Sequence, residues 1–202
     1  MIRIGVLASG RGSNFQALCE ASRRGAIPEG EFVVLVSDKP DAGALSVARE
    51  FGIEALAVPP KSFPSREAHE SAVADALESR QVGLVCLAGY MRILTAAFLS
   101  RFPGRVLNIH PALLPSFPGL HGQRQALDHG ARISGATVHF VDAGCDTGPI
   151  ILQAAVPVLE GDTEETLSSR ILEQEHRIYP EAVGLFCAGR LKLEGRRVHI
   201  LP

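Results

Sequence analysis

The chain has 202 residues, 46% apolar and 21% charged, with a formal net charge of -2, a size and balance that suit one globular domain able to bury a sizeable core. There is no basic block, aromatic residues are 5% of the chain and tryptophan is absent, so neither a nucleic-acid surface nor a base-stacking platform is expected. A strand pattern begins at Ile2, leaving no room for a signal peptide, no apolar run reaches membrane-spanning length, and Cys19, Cys86, Cys145 and Cys187 form no C-x-x-C pair. These features lead us to expect a cytoplasmic location with free thiols, no membrane contact and no metal site.

Apolar, β-branched runs alternate with helix-period segments, the pattern of a doubly wound, mostly parallel α/β sheet with a Rossmann-like N-terminal half. Strand one, Ile2 to Leu7, runs into Ala8-Ser9-Gly10-Arg11-Gly12-Ser13-Asn14 and then a helix from Phe15 to about Arg24. A glycine-rich turn opening a helix suits a phosphate, through Gly12, Ser13 and Asn14, with Ser13 or Asn14 as a possible cap. A capped turn without a ligand fits as well. A dinucleotide fingerprint is the other alternative: Asp38, after a strand from Glu31 to Ser37, mimics its ribose-binding acid, but Phe15 stands where that motif wants a small residue.

Ala42 to Glu50 reads as a helix, Glu54 to Val58 as a short strand, and Ser65 to about Ser79 as another helix. Arg66 falls in its first turn, where the helix dipole disfavours a cation. It is either solvated or answers a carboxylate from outside. A fourth strand, Leu84 to Ala88, ends at Gly89-Tyr90-Met91-Arg92-Ile93-Leu94, whose apolar members are either core or the wall of a flat pocket. Thr95 caps a helix from Ala96 to about Phe102.

After a Pro103-Gly104 turn comes the apolar strand Val106 to Ile109, interrupted by Asn108 and ended by His110-Pro111. Residues two apart in a strand share a face, so Asn108 and His110 stand roughly 6–7 Å apart at the carboxyl edge. They are either satisfied core groups or the amide donor and titratable ring that carbonyl chemistry needs. A helix follows from Gln123 to about His129. A strand from Gly135 to Val141 then places Thr137, His139 and Val141 on one face, with His139 a core residue or a partner of the site. A loop rich in Gly, Asp and Pro carries Cys145 and Asp146; Cys145 is a weak candidate nucleophile, with no basic neighbour in view. The chain ends with a strand from Ile150 to Pro157, a helix from about Glu164 to Phe186 kinked by Pro180, and a hairpin, Leu191 to Glu194 with Arg197 to Leu201. By residues alone, Glu175 lies on a solvated helix face.

Asn108-Ile109-His110-Pro111-Ala112-Leu113-Leu114-Pro115, followed by Phe117-Pro118-Gly119-Leu120-His121, closely resembles the signature of the folate-dependent formyltransferases, and the similarity runs from Ile4 to about Leu193. Within that family the chain resembles the branch acting on glycinamide ribonucleotide in purine synthesis. The resemblance implies one formyltransferase domain over 1–202, with a phosphate-binding half to about 104 and a catalytic and folate-binding half beyond. It implies 10-formyltetrahydrofolate as co-substrate, small-molecule partners only, no metal, and a monomer or weak homodimer.

Residue by residue, it implies that Asn108, His110 and Asp146 are catalytic, with Asp146 orienting His110 and raising its pKa. Gly12, Ser13 and Asn14 would hold the acceptor's phosphate, and Glu175 its ribose or glycinamide part. Arg66 would meet the acidic tail of the folate, while Tyr90, Met91, Arg92, Ile93, Leu94, Asn108 and Val141 would line its ring site. His121, His139 and Thr137 would flank the catalytic group. The family often has a second histidine where this chain has Gln123. The related methionyl-tRNA formyltransferases and formyl-folate hydrolases carry extra domains, and neither is expected here. Rival activities are hydrolysis of formyl-folate, nicotinamide-dependent oxidoreduction, and catalytically silent nucleotide binding.

Overall fold

The computed structural model describes all 202 residues. Seven strands form one sheet in the order β3-β2-β1-β4-β5-β6-β7, and β8 and β9 form a separate hairpin. Strands β1 (Ile2–Ala8), β2 (Gly30–Ser37), β3 (Glu54–Ala57), β4 (Leu84–Leu87) and β5 (Val106–His110) run parallel, whereas β6 (Ile133–Phe140) is reversed and pairs antiparallel with both β5 and β7 (Ile150–Pro157). The chain starts at β1, builds outward to β3, then returns to lay β4 on the other side of β1. That reversal is a topological switch point, where loops leaving the carboxyl ends of β1 and β4 diverge and open a crevice.

Side-chain alternation along the strands divides the interior into two layers. Ile4, Val6 and Ala8 of β1 and Leu84 and Cys86 of β4 pack under α1 (Ser13–Arg23), α2 (Gly43–Glu50) and α6 (Glu164–Cys187). Leu7, Val85 and Leu87 point the other way, against α3 (Arg66–Glu78) and α4 (Ala96–Arg101). A short α5 (Gly122–Asp128) follows β5. Helix α6 runs through Pro180 without a break and is capped by Thr163, whose side chain accepts from the Thr166 N–H. The hairpin pairs β8 (Leu191–Glu194) with β9 (Arg197–Ile200). No helix is long and apolar enough to cross a membrane.

Two local expectations need correction. Helix α1 begins at Ser13 rather than Phe15, and its cap is Gly12 in a left-handed conformation with no side-chain bond, so neither Ser13 nor Asn14 caps it. Strand β6 ends at Phe140, and a register shift after Val138 interrupts its pairing with β7. Val141 therefore leaves the strand, held by its N–H to the Val106 carbonyl at 2.9 Å. The sheet also continues unbroken across residues 104 and 105 through β4 and β5.

Tyr179 of α6 is completely buried, and its hydroxyl lies 2.9 Å from the Leu87 carbonyl and 3.2 Å from that of Leu107. One side chain thus ties the helix layer to the ends of β4 and β5, the strands that carry the crevice. Removing the hydroxyl alone, in Tyr179→Phe, withdraws the donor from two buried acceptors and is expected to cost about 1–2 kcal/mol. Calorimetry should show a melting temperature lower by roughly 2–8 °C.

Candidate active site

The site starts from the last residues of β5. Antiparallel pairing sets Asn108 opposite His139 and His110 opposite Thr137. His139 is buried, and its Nδ1–H donates to the Phe140 carbonyl at 2.8 Å, which leaves Nε2 as an acceptor. The Asn108 amide donates to that Nε2 at 3.1 Å, so one amide hydrogen is firmly held and the other has only a long 3.5 Å contact, to Asp146 Oδ1.

The loop after β6 brings in Asp146, in a left-handed conformation (φ 53°) that Asp tolerates better than most side chains. Its Oδ2 accepts from the Gly119 N–H at 2.8 Å and lies 3.3 Å from His110 Nδ1. Its Oδ1 lies 3.5 Å from the Asn108 amide and 3.6 Å from His139 Nε2. The other ring nitrogen of His110 donates to the Phe117 carbonyl at 2.9 Å. Phe117 and Gly119 therefore act through their backbone, one on each member of the His–Asp pair.

The segment supplying them is anchored from below. The Thr137 hydroxyl donates to the Ala112 carbonyl at 2.7 Å and accepts from the Leu114 N–H at 3.0 Å, while Gln153 donates to the Leu114 carbonyl at 2.8 Å.

With Nε2–H on a carbonyl, neutral His110 turns a lone pair toward a carboxylate, and only a proton between them satisfies both. Burial opposes that charge. His110 is 4% exposed, and burial is the largest influence on its pKa, taking it below the ordinary histidine range. Asp146 and the Phe117 carbonyl pull the other way, and His139 adds to the lowering. Asp146 does raise the His110 pKa, as the resemblance implies, but desolvation outweighs it. Burial pushes the Asp146 pKa upward, yet His139, His110 and the Gly119 N–H together hold it at about 2.

A cleft of about 590 Å³ opens beside these groups. Asn108, His110, His139 and Asp146 line its middle, Arg11, Asn14 and Glu175 another part, and Tyr90, Met91, Arg92, Ile93, Leu94 and Val141 the rest. Met91 and Ile93 are 61% and 59% exposed, an apolar surface open to a flat ring. Asn14 donates to Glu175 at 2.8 Å, and its own Oδ1 is buried without a partner. Glu175 is buried and not on a solvated face, and desolvation raises its pKa. His121 stands on the cleft rim, mostly exposed, 4.0 Å from Glu164, and Gln123 lines the cleft beside it.

Other expected residues lie outside the wall. Gly12 is buried beneath the turn at φ 90°, where an added Cβ would come 2.7 Å from the Ala44 Cα, so its glycine character serves the packing of the turn on α2. Ser13 and Thr137 do not line the cleft. Arg66 does not line the cleft: its Nε meets Glu70 at 3.0 Å and its Nη2 donates to the Ile93 carbonyl, while the side chain stays 45% exposed. Asp38 is also off the cleft wall, and Phe15 fills the core against Phe32, 6.2 Å between ring centroids.

Several contributors escaped the sequence reading. Arg11 adds an exposed cation beside Asn14; its place between the glycines of the turn was the available signal. Nothing in the sequence marks the backbone of Phe117 and Gly119. Cys145 lies 3.7 Å from Asp146, and burial and that carboxylate raise its pKa, which suppresses the thiolate a nucleophile needs. No group of three or more His, Cys, Asp or Glu side chains is placed to hold a metal ion.

The pair's electrostatics are open to a direct test by NMR titration of the His110 ring. Its midpoint should fall below that of an ordinary histidine, and Asp146→Asn should lower it further by removing the one nearby anion. An unchanged or raised midpoint in the variant would show that the carboxylate does not act on the ring.

Comparison with known proteins bears on the same residues. The family model described as formyl transferase matches residues 2–183. A trifunctional purine biosynthetic protein adenosine-3 from Drosophila pseudoobscura pseudoobscura is 48% identical over 193 residues, covering 94% of this chain but 14% of that much longer protein. The phosphoribosylglycinamide formyltransferase of Escherichia coli (strain K12) is 45% identical over 192 residues, covering 95% of this chain and 90% of its own. Among solved structures, glycinamide ribonucleotide transformylase 1 from Symbiobacterium toebii superposes with a TM-score of 0.98 at 59% identity, over 100% of this chain and 95% of that one. The cleft, with its amide, imidazole and carboxylate at the end of β5, is therefore that of a member of the formyl transferase family, to which this chain belongs.

Proposed function

We propose that the chain transfers the formyl group of 10-formyltetrahydrofolate to the primary amine of N1-(5-phosphoribosyl)glycinamide, a step of de novo purine synthesis. The observation that carries this reading is the convergence of Asn108, His110 and Asp146, with contacts of 3.3 and 3.5 Å to the carboxylate, on a cleft that is cationic beside the glycine turn and apolar at Met91 and Ile93. The turn takes the phosphate at the start of α1, with Arg11 and Asn14 on the cleft wall and Gly12 and Ser13 shaping the backbone behind them. Glu175 and the unpartnered Asn14 oxygen accept hydrogen bonds from the hydroxyl and amide groups of the acceptor. The pterin lies along Tyr90, Met91, Arg92, Ile93, Leu94 and Val141.

In the reaction the amine attacks the formyl carbon, and the carbonyl oxygen becomes an oxyanion. The second hydrogen of Asn108 gives up its long contact with Asp146 and donates to it. The amine's proton passes, directly or through water, into the gap between Asp146 and His110, the place where two acceptors face each other. His110 then becomes the imidazolium that its burial disfavours at rest. It stabilises the oxyanion and returns the proton to the folate nitrogen as the bond to the formyl carbon breaks. One C–N bond forms, one breaks, and one proton moves from the acceptor nitrogen to the donor nitrogen, with no metal ion required.

This reading places the enzyme in the cytosol, a reducing setting that suits the four free cysteines, working as a monomer or weak homodimer. It also assigns folate and acceptor contacts to both halves of the chain, since Tyr90 to Leu94 precede residue 104 and Glu175 follows it.

Asn108→Ala should lower turnover by about 10²–10³ with much smaller changes in either KM. The reading as a whole is tested by following folate deformylation by absorbance with and without glycinamide ribonucleotide. Deformylation that needs the acceptor supports transfer; equal formate release without it assigns the site to hydrolysis.

A further inference from the structure

Glu70 is a carboxylate with no place in the chemistry above, yet it is only 4% exposed. It sits one turn into α3, and both its oxygens are used. Oε1 accepts from Arg66 Nε at 3.0 Å, while Oε2 accepts from the Thr95 N–H at 3.0 Å and from the Thr95 hydroxyl. Arg66 in turn donates from Nη2 to the Ile93 carbonyl. Three groups of the segment that leaves β4 are thus gripped by two side chains of one helix turn: the Ile93 carbonyl, the Thr95 amide and the Thr95 hydroxyl.

That segment needs a grip. It has no regular secondary structure between β4 and α4, and it exposes the apolar side chains of Met91 and Ile93 to the cleft. At its start it is tied to the turn after β1, by the Ser9 N–H to the Gly89 carbonyl at 3.1 Å and the Met91 N–H to the Ser9 hydroxyl at 3.0 Å. Its far end has the Arg66–Glu70 pair. Burying a carboxylate is costly unless it is fully bonded, and this one spends its bonds on the backbone and cap of the cleft wall.

We infer that Glu70, with Arg66 as its arm, is a positioning residue for the co-substrate: it holds the wall from Met91 to Leu94 in the shape that receives the flat ring. Arg66 serves this role through the Ile93 carbonyl, and its exposed edge stays open to the acidic tail of the folate. The inference rests on the cleft taking a formyl-folate, but its first test does not.

Hydrogen exchange on the ligand-free protein should show faster exchange at Ile93 to Thr95 in Glu70→Gln, with the central strands unchanged. Arg66→Met, which leaves the Glu70–Thr95 bonds intact and guards against a misfolded Glu70 variant, should loosen the same stretch less. In turnover, both variants should raise the KM for formyl-folate about tenfold and three- to tenfold respectively, with kcat within about twofold and the acceptor KM unchanged. With a formyl-tetrahydropteroate co-substrate that lacks the glutamyl tail, the double variant should be no worse than Glu70→Gln alone, and the Glu70→Gln penalty should persist. Unchanged exchange at Ile93 to Thr95 overturns the inference, as does a Glu70→Gln penalty that vanishes with the tailless co-substrate. If the wild-type protein does not use formyl-folate at all, the functional reading fails and exchange alone decides the role of Glu70.

Discussion

The antiparallel pairing of β5 with β6 is the constraint on which the site depends. Once Asn108 stands opposite His139 and His110 opposite Thr137, the rest follows from short-range bonding. His139 holds the Asn108 amide in place, Thr137 anchors the segment that carries Phe117 and Gly119, and the loop leaving β6 delivers Asp146 within 3.5 Å of both Asn108 and His110. A slip of one residue in that register would exchange the faces of every side chain on the strand, turning the amide and the ring into the wrong layer. Parallel packing of β1 to β5 builds the crevice, but the reversed strand furnishes it.

Burial and charge are set against each other inside this arrangement. Desolvation favours neutral His110, whereas Asp146 favours the imidazolium. The carboxylate itself stays ionised, with a pKa lowered to about 2 against its burial, and its donors while both rings are neutral are the Gly119 N–H and the Asn108 amide. A ring poised in this way rests neutral and accepts a proton only when one is delivered beside the carboxylate. The two groups therefore act as a unit, and neither one's titration belongs to it alone.

Away from the chemistry, the cleft is defined by how its loops are held. The glycine turn is pressed onto α2 through Gly12, and the segment after β4 is tied at one end to Ser9 and at the other to Arg66 and Glu70. Loops at a switch point have no sheet partner beyond the strand ends, so their shape has to come from side-chain bonds to neighbouring helices. This explains why a polar residue as costly as Glu70 is buried outside the catalytic group, and why the Arg66 cation at an unfavourable helix position is not free.

Much of this was legible in the sequence. Alternating strand and helix periods gave the order of elements, because hydrophobic periodicity is a local property of each segment. Asn108 and His110 stood out as polar residues on one face of an apolar strand, and the motif from Asn108 to His121 pointed to the family. What the tertiary structure alone decided were relations between segments distant in the chain: the bond of Asn14 to Glu175, 161 residues apart, Asn108 with His139, Arg66 with Glu70 and Ile93, and the withdrawal of Gly12, Ser13 and Thr137 from the cleft wall. Glu175 reads as a solvated helix residue because its helix period is blind to the neighbour across from it. The net direction of the His110 shift was equally out of reach, since it depends on how much water the folded chain excludes. Local pattern is written residue by residue, whereas burial and cross-chain contact exist only after the sheet has closed.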